Sequence, residues 1–221
     1  MNNPINVGIV GAGRIGLTHA KSIVLDMPDV EVRMVSDPYI SENASAELEN
    51  LGIGSISLDY QDILRDPEIH AVIICSPTET HSQVSMEAAK AKKHVFCEKP
   101  IDLDIERIRQ TLAVIEEEGI KYQVGFNHRF DHNFMAVRDH IVGGNVGDVH
   151  VLKVTSRDPA PPSNEYIRNS GGIFVDMMIH DFDVVRFLAG VEVVEVFATG
   201  SVCFSEDIGR EGDFDTAAAT L

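Results

Sequence analysis

An acid and an imidazole lie four residues apart in an otherwise apolar stretch of the chain, residues 171–181 with the sequence GGIFVDMMIHD. If this stretch is helical, Asp176 and His180 lie on one face of the helix. A carboxylate beside an imidazole raises its basicity and fixes its orientation, so that the ring can take a proton from a substrate hydroxyl. The pair could instead be purely structural, and this segment alone favours that interpretation until the rest of the chain is considered.

A glycine-rich turn near the start of the chain shifts that balance towards chemistry. An apolar run, residues 7–10, leads directly into Gly11, Gly13 and Gly16 with the spacing GxGxxG, and a helical pattern follows. Gly11 suits a tight turn, Gly13 lets a pyrophosphate approach the backbone, and Gly16 lets the helix pack on the strand. The helix N-terminus offers N–H groups to the phosphates. We expect the cofactor contacts of this turn to be Gly11, Gly13, Arg14, Ile15 and Gly16.

A second predicted strand, residues 30–35, ends just before Asp37, which stands 21 residues after Gly16. An acid at this place can accept hydrogen bonds from the ribose 2′-hydroxyl and would repel a 2′-phosphate. Asp37 could also be only a cap or turn residue before Pro38. With the strand, turn, helix and strand all in order, the sequence predicts NAD rather than NADP as the cofactor.

The overall charge narrows the classes of partner. The chain has 221 residues with 18 basic and 35 acidic side chains, a formal net charge of −17, which repels nucleic acid and anionic membranes and favours a neutral substrate. No apolar run is long enough to cross a membrane, and the N-terminus lacks the basic and apolar regions of a signal peptide. We therefore expect a cytoplasmic protein with no nucleic-acid or membrane partner.

Three cysteines, Cys75, Cys97 and Cys203, lie in apolar, strand-like runs. They show no CxxC spacing and do not form an even set, which argues against zinc and against a disulfide framework. Free cysteine usually behaves as a small buried hydrophobe. The sequence therefore predicts three buried, reduced thiols.

Strands and helices alternate through the first half of the chain, with apolar runs that do not alternate with polar residues. Such runs are typical of a parallel sheet covered on both faces, so the predicted fold class is α/β with a doubly wound sheet. The pattern changes near residue 126, which predicts an NAD-binding domain over 1–125 and a second domain over 126–221. The second domain is expected to contain a helix at 132–142, a loop at 206–213 and three strands, at 149–156, at 193–204 and from 214 onward.

Polar residues follow two of the apolar runs, at 71–75 and at 94–97. Ligands bind at the carboxyl ends of strands in open α/β sheets. Lys99 could be an ordinary solvated lysine, or it could hydrogen-bond a substrate hydroxyl near the nicotinamide ring. His81 is more typical of a structural residue, at a helix start or on the phosphate side, than of a catalyst. The candidate cofactor contacts at this edge are Ser76, Pro77, Thr78, His81, Glu98 and Lys99.

With the glycine turn, the SPTETH stretch at 76–81, the EKP stretch at 98–100 and residues 171–183 in order, the sequence resembles the Gfo/Idh/MocA oxidoreductase family over essentially its whole length. Residues 156–172 look most like bacterial inositol 2-dehydrogenases. The resemblance implies a Rossmann domain followed by an α+β substrate domain with a large, mostly antiparallel sheet. Family members are longer, so we expect a C-terminally truncated chain with an incomplete sheet, and a homo-oligomer in the full-length form.

The resemblance also implies roles. Lys99, Asp176 and His180 would be catalytic, with His180 as general base on the hydroxyl while hydride passes from the carbinol carbon to nicotinamide C4. The implied reaction is NAD-dependent oxidation of a cyclic polyol, myo-inositol to 2-keto-myo-inositol. Two alternatives stay open, namely a non-catalytic NAD-binding module and a dehydrogenase of another inositol isomer or an aldose.

Two further residues are weaker candidates for substrate contact. Asp158 lies in the stretch that looks like inositol dehydrogenases, and Arg129 could touch substrate or brace the domain junction. A metal site is rejected, because on a helix Asp183 would face away from Asp176 and His180, and no second histidine has ligand spacing.

Overall fold

The computed structural model describes residues 4–221. The first three residues, which enter the expectation that the N-terminus carries no signal peptide, lie outside it. The chain divides into two compact units between Gly125 and Phe126. No helix in the described part of the chain is long and apolar enough to cross a membrane.

The first unit is an alternation of strands and helices around one parallel sheet. In chain order its elements are β1 Ile5–Val10, α1 Arg14–Asp26, β2 Val30–Ser36, α2 Glu42–Asn50, β3 Ile56–Ser57, α3 Gln61–Arg65, β4 Ala71–Ile74, α4 Thr78–Lys90, β5 His94–Cys97, α5 Ile105–Glu118 and β6 Tyr122–Val124. The six strands pair in parallel in the order β3-β2-β1-β4-β5-β6. The predicted doubly wound parallel sheet is confirmed.

The core of this unit lies on both faces of the sheet. Ile9, Val72 and Ile74 from the central strands are completely buried. Leu48 of α2 packs in one cluster and Val84 of α4 in another. Because apolar side chains point to both faces of each central strand, the strands need helices on both sides, and this explains the unbroken apolar runs in the sequence.

The strand order reverses at the centre of the sheet, where β1 pairs with β2 on one side and with β4 on the other. The amide of Cys75, just after β4, donates to the carbonyl of Val10 at the end of β1 (2.7 Å). The loops that leave these two strands therefore lie side by side. This switch point is where open α/β sheets bind their ligands.

The second unit consists mainly of helices and one small antiparallel sheet. Its elements are a 3-10 helix Asn127–Phe130, α6 His132–Val142, α7 Asn164–Ser170, a π-helical turn Ile173–Met177, α8 Met178–Ala189, β7 Phe197–Ser201, α9 Glu206–Arg210 and β8 Thr216–Thr220. Strands β7 and β8 pair in antiparallel register, from Phe197 opposite Thr220 to Ser201 opposite Thr216.

Several expectations for this unit are wrong. The segment 149–156 forms no strand, because no other described strand lies beside it to complete a hydrogen-bonded ladder. The strand predicted at 193–204 covers only residues 197–201. The predicted loop at 206–213 begins with α9, where Arg210 bonds the carboxylates of Glu206 and Asp207 one turn earlier.

Candidate functional site

Two glycines shape the turn between β1 and α1 by excluding side chains. Gly11 has φ of +100°, and a Cβ there would lie 2.6 Å from the carbonyl carbon of Cys75 and 2.7 Å from the amide nitrogen of Ser76. A Cβ on Gly16 would collide with the carbonyl oxygen of Gly11. Only glycine at these positions lets the turn lie against the loop after β4 and lets α1 pack onto the turn.

The third glycine of the motif faces open space. A Cβ on Gly13 would meet nothing within 4 Å. Gly13 is also the N-cap of α1, and no side chain caps the helix there. The first amides of the helix, from Arg14 onward, can therefore donate to an anion placed above the turn. These residues fit the pyrophosphate of a dinucleotide, as the sequence predicts.

Asp37 follows β2 and points back to the glycine turn. Its Oδ2 accepts a hydrogen bond from the amide of Ala12, and its Oδ1 accepts one from the amide of Tyr39, both at 2.8 Å. The carboxylate therefore holds its own turn, the structural role considered from the sequence, and it also bonds the glycine turn beside the predicted cofactor site. Its contact with a ribose hydroxyl stays a prediction. Each oxygen keeps acceptor capacity for a ribose hydroxyl.

The loop after β4 carries Ser76, Pro77 and Thr78 at the same edge of the sheet. His81, on α4, is 2% exposed, and its two ring nitrogens lie 2.8 Å from the carbonyl oxygens of Ser76 and Pro100. Both nitrogens are therefore occupied by backbone. Any contribution of His81 to cofactor binding comes through the loops that it joins.

Glu98 and Lys99 follow β5, at the same edge, and the Lys99–Pro100 peptide bond is cis. Glu98 Oε1 lies 2.7 Å from Nε2 of His19 on α1. Burial alone would raise the pKa of the Glu98 carboxyl, but the hydrogen bond and charge of His19, together with the amide and charge of Lys99, lower that pKa below its usual range. Glu98 is therefore held as an anion beside Lys99.

The cysteines differ in exposure. Cys97 is buried, and burial raises the pKa of its thiol to about 11. Cys75 is half-buried, and burial raises its thiol pKa as well. The expectation of a buried thiol is wrong for Cys203, which is exposed because it lies just beyond the end of β7.

In the second unit, Asp176 lies in the π-helical turn and His180 in the first turn of α8. The predicted helix is thus present but changes type between the two residues. The hydroxyl of Tyr166, on α7, donates to Oδ1 of Asp176 at 2.8 Å. Single π-turns inside helices occur frequently at functional sites. A phenol fixing a carboxylate that lies one turn before an imidazole is an arrangement suited to acid–base chemistry.

The two weaker candidates differ in their surroundings. Arg129 donates from Nε and Nη2 to both oxygens of the buried Asp183, at 2.7 and 2.6 Å. These two hydrogen bonds raise the pKa of the Arg129 guanidinium. They indicate that Arg129 connects the 3-10 helix to α8 inside the second unit. Asp158 lies exposed in the segment between α6 and α7. Within residues 4–221, no group of three His, Cys, Asp or Glu side chains could hold a metal ion.

Sequence reasoning did not select Tyr166 or His19 as members of the site. Ser163 accepts from the Tyr166 amide as the N-cap of α7, so a capping signal was present in the sequence for the helix. No spacing rule relates Tyr166 to Asp176, because their contact depends on how α7 folds back onto the π-turn.

Comparison with known families shows to which family the chain belongs. Residues 5–126 match the model of an oxidoreductase family with an NAD-binding Rossmann fold, GFO_IDH_MocA, and residues 134–221 match the GFO/IDH/MocA C-terminal domain. The chain belongs to the Gfo/Idh/MocA family. The resemblance inferred from the motifs is thereby confirmed, and with it the NAD-binding character of the first unit.

Several relatives of this Gfo/Idh/MocA chain are named as inositol dehydrogenases. The myo-inositol 2-dehydrogenase of Thermotoga maritima is 44% identical over 218 residues, which are 98% of this chain and 64% of that protein. The crystal structure of a myo-inositol dehydrogenase from Corynebacterium glutamicum gives a TM-score of 0.90 at 38% identity, covering 99% of this chain and 64% of the other. The chain thus spans about 64% of the length of such relatives.

A third relative was solved with its ligands. The structure of scyllo-inositol dehydrogenase from Lactobacillus casei, with bound NAD(H) and scyllo-inositol, gives a TM-score of 0.89 at 34% identity. The match covers 98% of this chain and 65% of that one. Relatives of this chain thus include dehydrogenases named for two different inositol isomers.

Proposed function

We propose that this Gfo/Idh/MocA chain functions as an NAD-dependent dehydrogenase that oxidises a secondary hydroxyl of a cyclic polyol. The observation that carries the proposal is the acid and imidazole at the π-turn, with Asp176 held by Tyr166 and His180 one turn later. The NAD-binding first unit supplies the redox partner that such a pair requires. The names of the relatives support an inositol as the substrate class.

In the proposed mechanism, His180 takes the proton of the substrate hydroxyl as the carbinol C–H bond breaks and the C=O bond forms. NAD, when bound, would supply the acceptor for the hydride of that C–H bond and so take up its two electrons. Asp176 orients the imidazole, and Lys99 hydrogen-bonds the reacting oxygen. A positioned general base of this kind contributes about 10² to 10⁴ in rate.

The specific substrate that we propose is myo-inositol, giving 2-keto-myo-inositol. The test is NADH formation when the chain is mixed with NAD and either myo-inositol, scyllo-inositol or glucose. We expect myo-inositol to give the highest kcat/KM. A higher kcat/KM with another of these compounds would identify that compound as the better substrate. NAD binding by calorimetry without NADH from any polyol would instead favour a non-catalytic NAD-binding module.

The proposed cofactor contacts are those of the glycine turn, the loop after β4 and the EKP stretch, with Asp37 selecting NAD. Asp37→Ser removes the carboxylate that would repel a 2′-phosphate. We expect the ratio of the dissociation constants for NADP and NAD to fall towards one, and an unchanged ratio would exclude Asp37 as the selecting group. Glu42→Ser, on the neighbouring helix α2, is the matched control.

A homo-oligomer also stays a prediction, which sedimentation velocity tests.

A further inference from the structure

His128 lies beside the proposed base without having been singled out by any motif. Its ring centroid is 5.1 Å from that of His180, with an interplanar angle of 37°. The His128 ring also stacks on Phe134, with ring centroids 5.0 Å apart and an interplanar angle of 23°. The three rings come from the 3-10 helix, α6 and α8, so the stack joins three elements of the second unit.

Ring contacts with Phe134 and His180 hold the His128 side chain in place. Its Nδ1 is buried and has no hydrogen-bond partner within the described part of the chain. A buried polar atom without a partner carries a free-energy cost. That cost is tolerated here in a position where the His128 ring contacts both the Phe134 ring and the His180 ring.

A general base needs a defined ring plane as well as a defined position. His180 must bring a ring nitrogen within hydrogen-bond reach of the hydroxyl, and rotation of the imidazole about its χ2 torsion would move that nitrogen away. The terminal torsion of histidine is intrinsically broad, so neighbours must narrow it. A misplacement of about 1 Å can reduce the rate by about 10².

We propose that His128 is a positioning residue, whose ring, braced by Phe134, forms the wall that fixes the plane of the His180 imidazole. The inference deepens the proposed function and rests on His180 being the base. The inference does not depend on which polyol is oxidised, because it concerns only the ring contacts among His128, Phe134 and His180.

The test compares His128→Ala, which removes the wall, with His128→Phe, which keeps a flat ring but has no imidazole. We expect His128→Ala to lower kcat about tenfold while KM changes by less than about twofold, and His128→Phe to restore most of kcat. The matched control is His140→Ala, a histidine at the exposed end of α6 that contacts Asn145 instead of the stack. Its kcat should equal that of the unmodified chain.

Long-range ¹H–¹⁵N spectra of the His180 ring supply a readout that is independent of turnover. We expect the tautomer signature of His180 to change in His128→Ala and to be retained in His128→Phe. Unchanged kcat and spectra in His128→Ala, or equal loss in both variants, would overturn the inference. If His128→Ala does not fold, Phe134→Leu takes its place in the test, because this substitution removes the ring that stacks on His128. If the unmodified chain oxidises no polyol, the proposed function fails, while the spectra still decide the role of His128.

Discussion

The two units of this molecule hold their functional residues by different means. The first unit places its loops on a sheet whose central side chains, such as Ile9 and Ile74, are completely buried. In the second unit, apolar side chains such as Val194 and Phe197 are 98% and 71% exposed. Its buried apolar residues, among those described, are Ile167, Val184, Leu188 and Ile208. The first unit is therefore shaped by packing, whereas the second unit depends more on polar contacts.

Those polar contacts surround the proposed catalytic pair. Arg168 on α7 forms a two-pronged ion pair with Glu211, and both carboxylate oxygens of Asp213 accept from the amide of Ile173 at the start of the π-turn (3.1 Å). Tyr166 then bonds Asp176. Because hydrogen bonds fix direction more strictly than apolar packing does, this unit can orient a carboxylate with a modest core.

The largest expected difference between the two units appears when the proposed base is removed, since kcat and NAD affinity should then respond differently. We expect His180→Ala to lower kcat by about 10² to 10⁴, because the substitution removes the proposed general base. NAD affinity, a property of the first unit, should stay within about twofold in calorimetry, since no cofactor contact is removed. A variant that keeps turnover close to that of the unmodified chain would show that His180 is not the base.

The contrast in packing predicts a contrast in stability. Leu48→Ala, in the core of the first unit, should lower the free energy of unfolding by about 2–5 kcal/mol through lost burial and a cavity. Val194→Ala, at a 98% exposed position, should change it by less than about 0.5 kcal/mol. Urea unfolding followed by circular dichroism measures both. Similar losses in the two variants would mean that Val194 is covered in the molecule as it exists in solution.

A smaller effect is expected from the phenol that holds Asp176. Tyr166→Phe keeps the ring and removes the hydroxyl, so the carboxylate loses one charge-assisted hydrogen bond. We expect kcat to fall about tenfold, with the free energy of unfolding lowered by about 1 kcal/mol or less, because Tyr166 is half exposed. Steady-state kinetics beside urea unfolding checks this, and a loss of stability without a change in kcat would make Tyr166 a structural residue only.

The smallest predicted effect concerns the connection between strands β7 and β8 and is a dependence on pH. Desolvation would raise the pKa of Asp215, but hydrogen bonds from the amides of Phe204, Cys203 and Ser205 outweigh it and lower the pKa to about 2. A carboxyl whose pKa is lowered in the folded state stabilises at higher pH. This contribution is complete above pH 3.8 and is lost as the pH falls towards 2.

Hydrogen exchange of these three amides, corrected for the intrinsic rate, measures this effect. Protection should fall between about pH 4 and pH 2 in the unmodified chain. In Asp215→Asn, protection should be weaker already at neutral pH and should no longer follow this titration. Equal pH dependence in the two proteins would assign the acid sensitivity to another carboxyl.

The same contrast explains how much of the molecule could be predicted from its sequence. The strands of the first unit are apolar runs bounded by turn residues, and both signals are local, so most of the parallel sheet was foreseen. The segment 149–156 has a strand-like pattern, yet a strand also needs a neighbour, which no local pattern supplies. The ring contact of His128 with His180 and the hydrogen bond from Tyr166 to Asp176 depend on how helices fold against one another. Such contacts were beyond prediction from spacing alone.

The hydrogen bond between His19 and Glu98 has a mechanical consequence for the cofactor unit. His19 lies five residues after Arg14 on α1, which at about 1.5 Å per residue is about 7.5 Å along the helix. The proposed phosphate contacts are amides at the beginning of this helix, and at His19 the helix bonds Glu98, the residue just before Lys99. One helix therefore connects the proposed phosphate-binding turn to the loop that carries Lys99, and the length of α1 between Arg14 and His19 fixes the separation of these two parts of the proposed cofactor site.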